Sequence, residues 1–334
     1  MSAEPIAGTT DRRIASLLAL FANNPMIVIS GARIAREIGV SRSTVWRWVE
    51  RLRSLEVKVK GHPRSGYVIE KVPDLLLPNL LRPRPRGNEF GKHIHHFFKT
   101  DSTNRVAMEL GFAGEPQGTL VVAEEQSAGR GRAGRTWHSE RASGIYASFL
   151  LRPKLSPADA PLITLLAGLS AREAVRQQTG CLADLRWPND LLLNGKKLGG
   201  ILTEMHAEPG RIHFAVVGIG LNVNQTRFPE KLASAATSLR METSRMHSRL
   251  ELLLRLIQQF EGDYDRFSAR GAASILSEFA AASSFAEGKR VRITDGSESF
   301  IGTTAGLEPN GLLRVRRDDR SVYVVVSGDL AEVP

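Results

Sequence analysis

A short apolar run, Gly118-Thr119-Leu120-Val121-Val122-Ala123, leads directly into Glu124–Trp137, where Gly129, Gly131 and Gly134 alternate with Arg130, Arg132 and Arg135. The apolar run reads as a buried strand, so a strand delivers the loop. Glycine permits positive φ and lets backbone N–H groups come close to a ligand. Arginine presents a planar fork of donors that matches carboxylate or phosphate oxygens two at a time. Composition alone also fits a solvated glycine-arginine segment that touches RNA. The loop lies between two apolar runs, Leu120–Ala123 and Ile145–Leu151, which puts it in a folded core and suits it to holding an anion.

A second stretch, Arg186–Glu204, has its own chemistry. Asn189 and Asp190 precede Leu191–Leu193, Asn194-Gly195 follows, and Lys196-Lys197 opens the run Leu198–Leu202. Asn-Gly between apolar runs predicts a type I′ hairpin. The hairpin brings Asp190 and Lys197 to neighbouring strands, within reach of one site. An Asp there can hold Mg²⁺ or orient a nucleotide sugar, and a Lys can neutralise a carboxylate approaching an α-phosphate. A surface hairpin whose charges only keep it soluble fits the same residues.

The amino-terminal segment has a different pattern. Ile14, Leu17, Leu18 and Phe21 recur at helical spacing up to Asn23-Asn24-Pro25. Ser30 is placed to cap a second helix that Gly39 ends, and Ser41 to cap a third with Val45, Trp48, Val49 and Leu52 on one face. That is helix-turn-helix spacing. The opposite face offers Arg42, Ser43, Trp46 and Arg47 to a major groove and Arg51 to a phosphate. Val57–Lys60, a turn at 61–66 and Tyr67–Ile69 predict a wing. The net charge is +10, and residues 1–70 carry 11 Lys/Arg against 6 Asp/Glu, half of that excess. Pro73–Asn88, rich in proline and arginine, reads as a linker, with Leu75–Leu81 as a short helix packed on the next domain. Arg82, Arg84 and Arg86 read as a solvated linker face, with contact to DNA phosphate as the alternative.

Beyond the linker, His95–Phe98 predicts a strand whose paired histidines, His95 and His96, are structural. Asp101 or Ser102 caps the helix that follows. Leu162–Gln177, Leu250–Phe260 and Ala272–Ala282 have helical spacing, and Ile212–Gly218 reads as a strand. Gly218-Ile219-Gly220 lacks the third glycine of a dinucleotide fingerprint, and no phosphate-binding loop of the GxxxxGK type occurs. From Lys289 the period becomes two, with runs at Arg290–Ile293, Ser299–Thr304, Leu312–Val315 and Val322–Val326. Four or five such strands predict a small β barrel. The single cysteine, Cys181, fits a reducing cytoplasm, and no stretch predicts a membrane span.

The complete G-R-G-R-x-G-R-x-W pattern (Gly129–Trp137) and W-P-N-D-L…G-K-K-L-G-G-I-L-x-E pattern (Trp187–Glu204), in this order, resemble the biotin protein ligases, specifically the bifunctional type that also represses the biotin operon. The resemblance implies a multidomain α+β chain. A winged helix-turn-helix domain would span 1–70, a linker 71–88, an α/β biotin/lipoate-ligase-like catalytic domain with a mixed sheet 89–284, and an SH3-like barrel 285–334. It implies two steps, formation of biotinyl-5′-AMP from biotin and MgATP, then transfer to a lysine of a biotin carboxyl carrier domain.

By the same resemblance, Ser102, Thr103, Asn104 and Gln126 bond biotin's ureido head, with Gly131 at the same site. Arg130, Arg132 and Lys197 draw carboxylate and phosphate together, and Asp190 holds Mg²⁺ or ribose. Arg135, Trp137 and Asn222 face the nucleotide, and the loop through Ala236-Thr237-Ser238-Leu239 closes on it. Phe228 is the residue available to stack on adenine. The adenylate would promote a homodimer that binds a palindromic operator. Lipoate ligation and biotin sensing without turnover are the alternatives; the intact G-R-G-R-x-G-R and K-L-G-G-I-L patterns weigh against the first, and Asp190, Lys197 and the three loop arginines against the second.

Overall fold

The structure is a computed structural model that describes residues 14, 16–18, 20, 21, 24, 26–54, 57–62, 65–69, 74–78, 80, 81, 89–295 and 298–333. In the amino-terminal domain, Ile14, Leu17, Leu18 and Phe21 are helical and buried. Helix α1 (Gly31–Ile38) starts at Ser30, whose hydroxyl accepts from the Arg33 amide, and stops at Gly39 with φ 73°. In α2 (Arg42–Ser54) the Thr44 amide donates to Ser41 Oγ at 3.1 Å. Val45, Trp48, Val49 and Leu52 of α2 bury against the first helix and α1. The wing is β1 (Val59–His62) antiparallel to β2 (Gly66–Ile69), with Ile29 bridging Tyr67 as a third line of pairing. The first wing strand thus begins two residues later than expected and includes Gly61 and His62. Gly66 lies so close to the Ile29 backbone that a Cβ would collide with it, which fixes where the turn must fall.

The expected helix at Leu75–Leu81 is reduced to one turn, in which the Leu80 and Leu81 amides both donate to Leu77 O. Before it the chain is an extended strap with alternating burial. Leu76 and Leu81 enter the core of the central domain, whereas Leu75 and Leu77 join the amino-terminal core beside Phe98. A segment buried on two sides needs a period of two, and helical spacing cannot supply it. Arg82, Arg84 and Arg86 lie outside the described residues.

A seven-stranded mixed sheet forms the central domain, in the order β3-β4-β5-β9-β8-β7-β6. Its strands are β3 (Ile94–Phe97), β4 (Leu120–Ala123), β5 (Gly144–Leu151), β6 (Asp184–Arg186), β7 (Asp190–Leu193), β8 (Lys196–Glu208) and β9 (Arg211–Asn222). β3 and β4 are parallel and the remaining neighbours antiparallel. Strand alternation sorts the side chains. Val121, Leu150 and Val216 meet helix α3 (Thr103–Phe112) on one face. Val122, Phe149 and Val217 meet α4 (Ala160–Thr179), α5 (Arg249–Arg270) and α6 (Ala273–Ala282) on the other. Helix α5 continues ten residues past the expected end at Phe260. Gly262 points into open space, and Tyr264 and Phe267 carry the buried stripe onward.

Five antiparallel strands complete the chain: β10 (Glu287–Asp295), β11 (Glu298–Leu307), β12 (Leu313–Arg317), β13 (Val322–Val325) and β14 (Asp329–Glu332), in the order β13-β12-β11-β10-β14. They make a small β domain. Its buried Val291, Ile293, Leu313 and Val315 are continuous with the core of the central domain, and the Trp187 indole donates to Gly311 O across the junction. No helix among the described residues is long and apolar enough to cross a membrane.

Candidate active site

Strand β4 ends at Ala123 and Glu124 turns inward, 1% exposed. Its carboxylate accepts from the Leu76 amide (2.7 Å) and from His96 Nε2 (3.1 Å), and pairs with Arg249 Nη1 (2.9 Å). Arg249 itself is fully buried and also bonds Asp74 and Gly144 O. Burial alone would raise the Glu124 carboxyl, but Arg249 and His96 outweigh it and hold it at about 2. The knot therefore clamps the strap, β3, β4 and the start of α5 two residues before Gln126 begins the site.

The glycine-arginine loop folds back on itself. The Gly131 amide donates to Arg135 O (2.7 Å) and the Trp137 amide to Gly129 O (2.8 Å). Ala133 and Gly134 take positive φ between them. Gly129 packs where any side chain would strike the Trp137 carbonyl. Beneath the loop, the Trp137 indole lies over Gly200 and Gly220, and a Cβ at Gly220 would run into it. The indole N–H is buried without a protein partner, and Lys197 Nζ stands 5.7 Å from the ring centroid.

The hairpin forms at Asn194-Gly195, with φ 50° and 75°. A bulge between Leu191 and Leu192 sets Lys197 opposite Leu192 and Asp190 opposite Gly200. Even so, Lys197 Nζ reaches Asp190 Oδ1 at 2.5 Å, and Arg186 Nη2 reaches Oδ2 at 2.6 Å. Burial would raise the Asp190 carboxyl, yet Lys197 and then Arg186 hold it below the usual range. The two cations engage both oxygens, which suits Asp190 to aiming Lys197. No cluster of three His, Cys, Asp or Glu suited to a metal exists among the described residues.

A polar network lines the opposite end. Ser102 is the N-cap residue of α3, but its side chain makes no capping bond. Asp101 instead accepts from the Ser102 amide at 2.7 Å. The Thr103 amide and hydroxyl donate to Gln126 Oε1 at 2.8 and 3.1 Å, and Gln126 donates on to Ser139. Asn104 donates to Leu202 O and Glu204 and accepts from Ser148. Gly218 makes room for it, since a Cβ there would collide with the Asn104 amide.

Ser102, Thr103, Asn104, Gln126, Arg130, Gly131, Arg132, Arg135, Trp137, Asp190, Lys197 and Asn222 all line one cavity of about 270 Å³. Phe228 and Ala236 line it too. Ala236 is held by the pairing of its neighbours with Lys197, through Lys197 N to Ala235 O and Thr237 N to Lys197 O. Arg135 has a second engagement, an ion pair with Asp329 of the carboxy-terminal domain at 2.7 Å. Residues that sequence reasoning left without a role also belong here. Arg186 and Asn189 reach Asp190 and Arg132, Glu204 joins Asn104 to Arg130, and Ser148 backs Asn104. A lone serine in the otherwise apolar β5 was the available signal for Ser148.

In the amino-terminal domain Arg42, Ser43, Trp46, Arg47 and Arg51 are exposed along one side of α2, with Trp46 56% exposed.

Known proteins match both the amino-terminal and the central segments. The Biotin/lipoate A/B protein ligase family matches residues 97–222, and an HTH domain matches residues 12–68. The bifunctional ligase/repressor BirA of Bacillus subtilis is 34% identical over 317 residues, 94% of this chain and 97% of that protein. BirA of Escherichia coli is 29% identical, with 90% and 92% covered. Among solved structures, the biotin protein ligase from Aquifex aeolicus in complex with biotin and ATP is 29% identical with a TM-score of 0.62, covering 72% of this chain and 98% of that one. With both its catalytic and its helix-turn-helix segments matched in order, the chain belongs to the biotin protein ligases of the bifunctional ligase/repressor type.

Proposed function

We propose that the protein forms biotinyl-5′-AMP from biotin and MgATP, passes the biotin to a lysine of a biotin carboxyl carrier domain, and in its adenylate-bound form represses biotin-synthesis genes. One observation carries this reading. The arginine loop, the Asp190–Lys197 pair and the Thr103–Asn104–Gln126 network converge on a single cavity although they lie far apart in the chain.

Biotin's ureido head bonds Ser102, Thr103, Asn104 and Gln126, which places its carboxylate near Gly131, Arg130 and Arg132. Lys197, kept charged and aimed by Asp190, neutralises that carboxylate as it approaches the α-phosphate. The carboxylate oxygen attacks phosphorus and pyrophosphate leaves. The acceptor amine then attacks the anhydride carbonyl, AMP departs, and the amine loses its proton as the amide forms. Catalysis is positioning and charge neutralisation, with no covalent enzyme intermediate. Magnesium enters with the nucleotide phosphates, as part of the substrate. Trp137, Arg135 and Asn222 face the nucleotide, Asp190 lies within reach of its ribose, and Phe228, edge-on to His138 at the cavity wall, stacks on adenine. Closure of the loop excludes water from the anhydride.

The exposed face of α2 enters the major groove, Arg42, Ser43, Trp46 and Arg47 at base edges and Arg51 at phosphate. One winged domain reads one half-site, so a two-fold operator calls for a homodimer, assembled when the adenylate is bound. The carboxy-terminal β domain serves as an SH3-like cap, and the protein works in the cytoplasm. Incubation with biotin, MgATP and a carrier domain should add one biotin to a single lysine, read by mass spectrometry. An unmodified carrier domain at saturating substrates would overturn the ligase reading.

A further inference from the structure

Glu204 touches two residues that the reaction uses at opposite ends of biotin. Its Oε2 accepts from Asn104 Nδ2 at 2.8 Å, and its Oε1 pairs with Arg130 Nη1 at 3.0 Å. We propose that Glu204 is a positioning residue that ties Arg130, and through it the glycine-arginine loop, to the pocket floor beside Asn104. The inference rests on the ligase reading above and gives that same site a further part.

Arg130 needs such an anchor. Its backbone is bridged to Thr136, but its long side chain is half exposed. Fixing an arginine side chain also costs more rotamer entropy than fixing most others. Glu204 is well placed to supply the restraint. It stands in β8 opposite Val216 of β9, and its side chain is 23% exposed. Its second oxygen is held by Asn104, which is itself fixed by Leu202 O and Ser148 and seated over Gly218. An ion pair with one rigid partner avoids much of the entropy cost that makes surface pairs weak. A guanidinium carries five N–H groups. Glu204 engages Arg130 through Nη1, and the others remain for the carboxylate and α-phosphate. Occupation of the head site is thereby linked through one carboxylate to the loop that must close over the adenylate.

The test is a double-mutant cycle on the full chain, with biotin, MgATP and labelled pyrophosphate as probes. Glu204→Gln keeps an acceptor for Asn104 but removes the charge facing Arg130. It is expected to speed loss of bound biotinyl-AMP about tenfold, the scale of a charge-assisted hydrogen bond, while biotin affinity without ATP changes less than about threefold. Arg130→Gln should show a similar or larger loss, and Glu204→Gln/Arg130→Gln should be no worse than Arg130→Gln alone. Additive losses, or biotin affinity and adenylate retention falling in proportion together with Tm, would overturn the role. Wild-type retention in Glu204→Gln would also overturn it. If the unsubstituted chain shows no biotin-dependent exchange, the ligase reading fails first and this inference with it. Normal exchange with an additive cycle overturns the role of Glu204 alone.

Discussion

Arg132 illustrates how single side chains act in this site. It projects from the loop into the cavity, and its guanidinium comes within 3.4 Å of Asn189 Oδ1, across from the hairpin. In the proposed mechanism, removing it takes from the reacting carboxylate one of its two loop cations and opens a path for water. Arg132→Gly should therefore lose bound biotinyl-AMP at least about tenfold faster, measured by retention of labelled adenylate through gel filtration. Unchanged retention would count against the role. Asp190 shows the complementary point. Two cations hold its carboxylate below the usual range despite burial, so it stays ionised at neutral pH and, in the proposed mechanism, keeps Lys197 directed at the substrate.

Among the elements, the strap before the catalytic domain carries an energetic prediction. Glu124 closes a buried knot with Arg249, His96 and the Leu76 amide. Its carboxyl is lowered from 4.5 to about 2. A depressed folded-state pKa contributes stability that is present above the unfolded value and is lost as pH falls through the folded one. Stability should therefore drop between about pH 4.5 and 2. Glu124→Gln, which leaves buried Arg249 with the Asp74 carboxylate alone, should cost about 3 kcal/mol at neutral pH and flatten that acid dependence. Urea unfolding across pH measures both, and a variant as stable as the parent would refute the knot's importance. This element also shows what a linear reading can reach. The caps at Ser30, Gly39 and Ser41 and the Asn194-Gly195 turn were legible because their causes are local. The leucine spacing of the strap predicts a helix, whereas its alternating burial depends on two domains that meet around it. Glu124 with Arg249, and Glu204 with Arg130, pair across long sequence separations that no spacing rule encodes. The paired motifs brought the cavity residues into view, but the bonds that hold them in place lie largely between motifs.

For the whole molecule, the protein combines an amino-terminal domain with an exposed arginine and tryptophan face and a catalytic domain whose core runs on into the carboxy-terminal strands. The strap gives its leucines alternately to the amino-terminal and catalytic cores, so the first two domains share a packed junction. The two activities should nevertheless separate by mutation. Arg47→Ala should weaken operator binding by about 1–3 kcal/mol and leave adenylation unchanged, read by footprinting beside exchange. Equal loss of both would place Arg47 in the fold and not at the DNA. The most direct test of the central claim is biotin-dependent exchange of labelled pyrophosphate into ATP, with lipoate in parallel. The account predicts exchange with biotin and none with lipoate. Absence of exchange with biotin would contradict it.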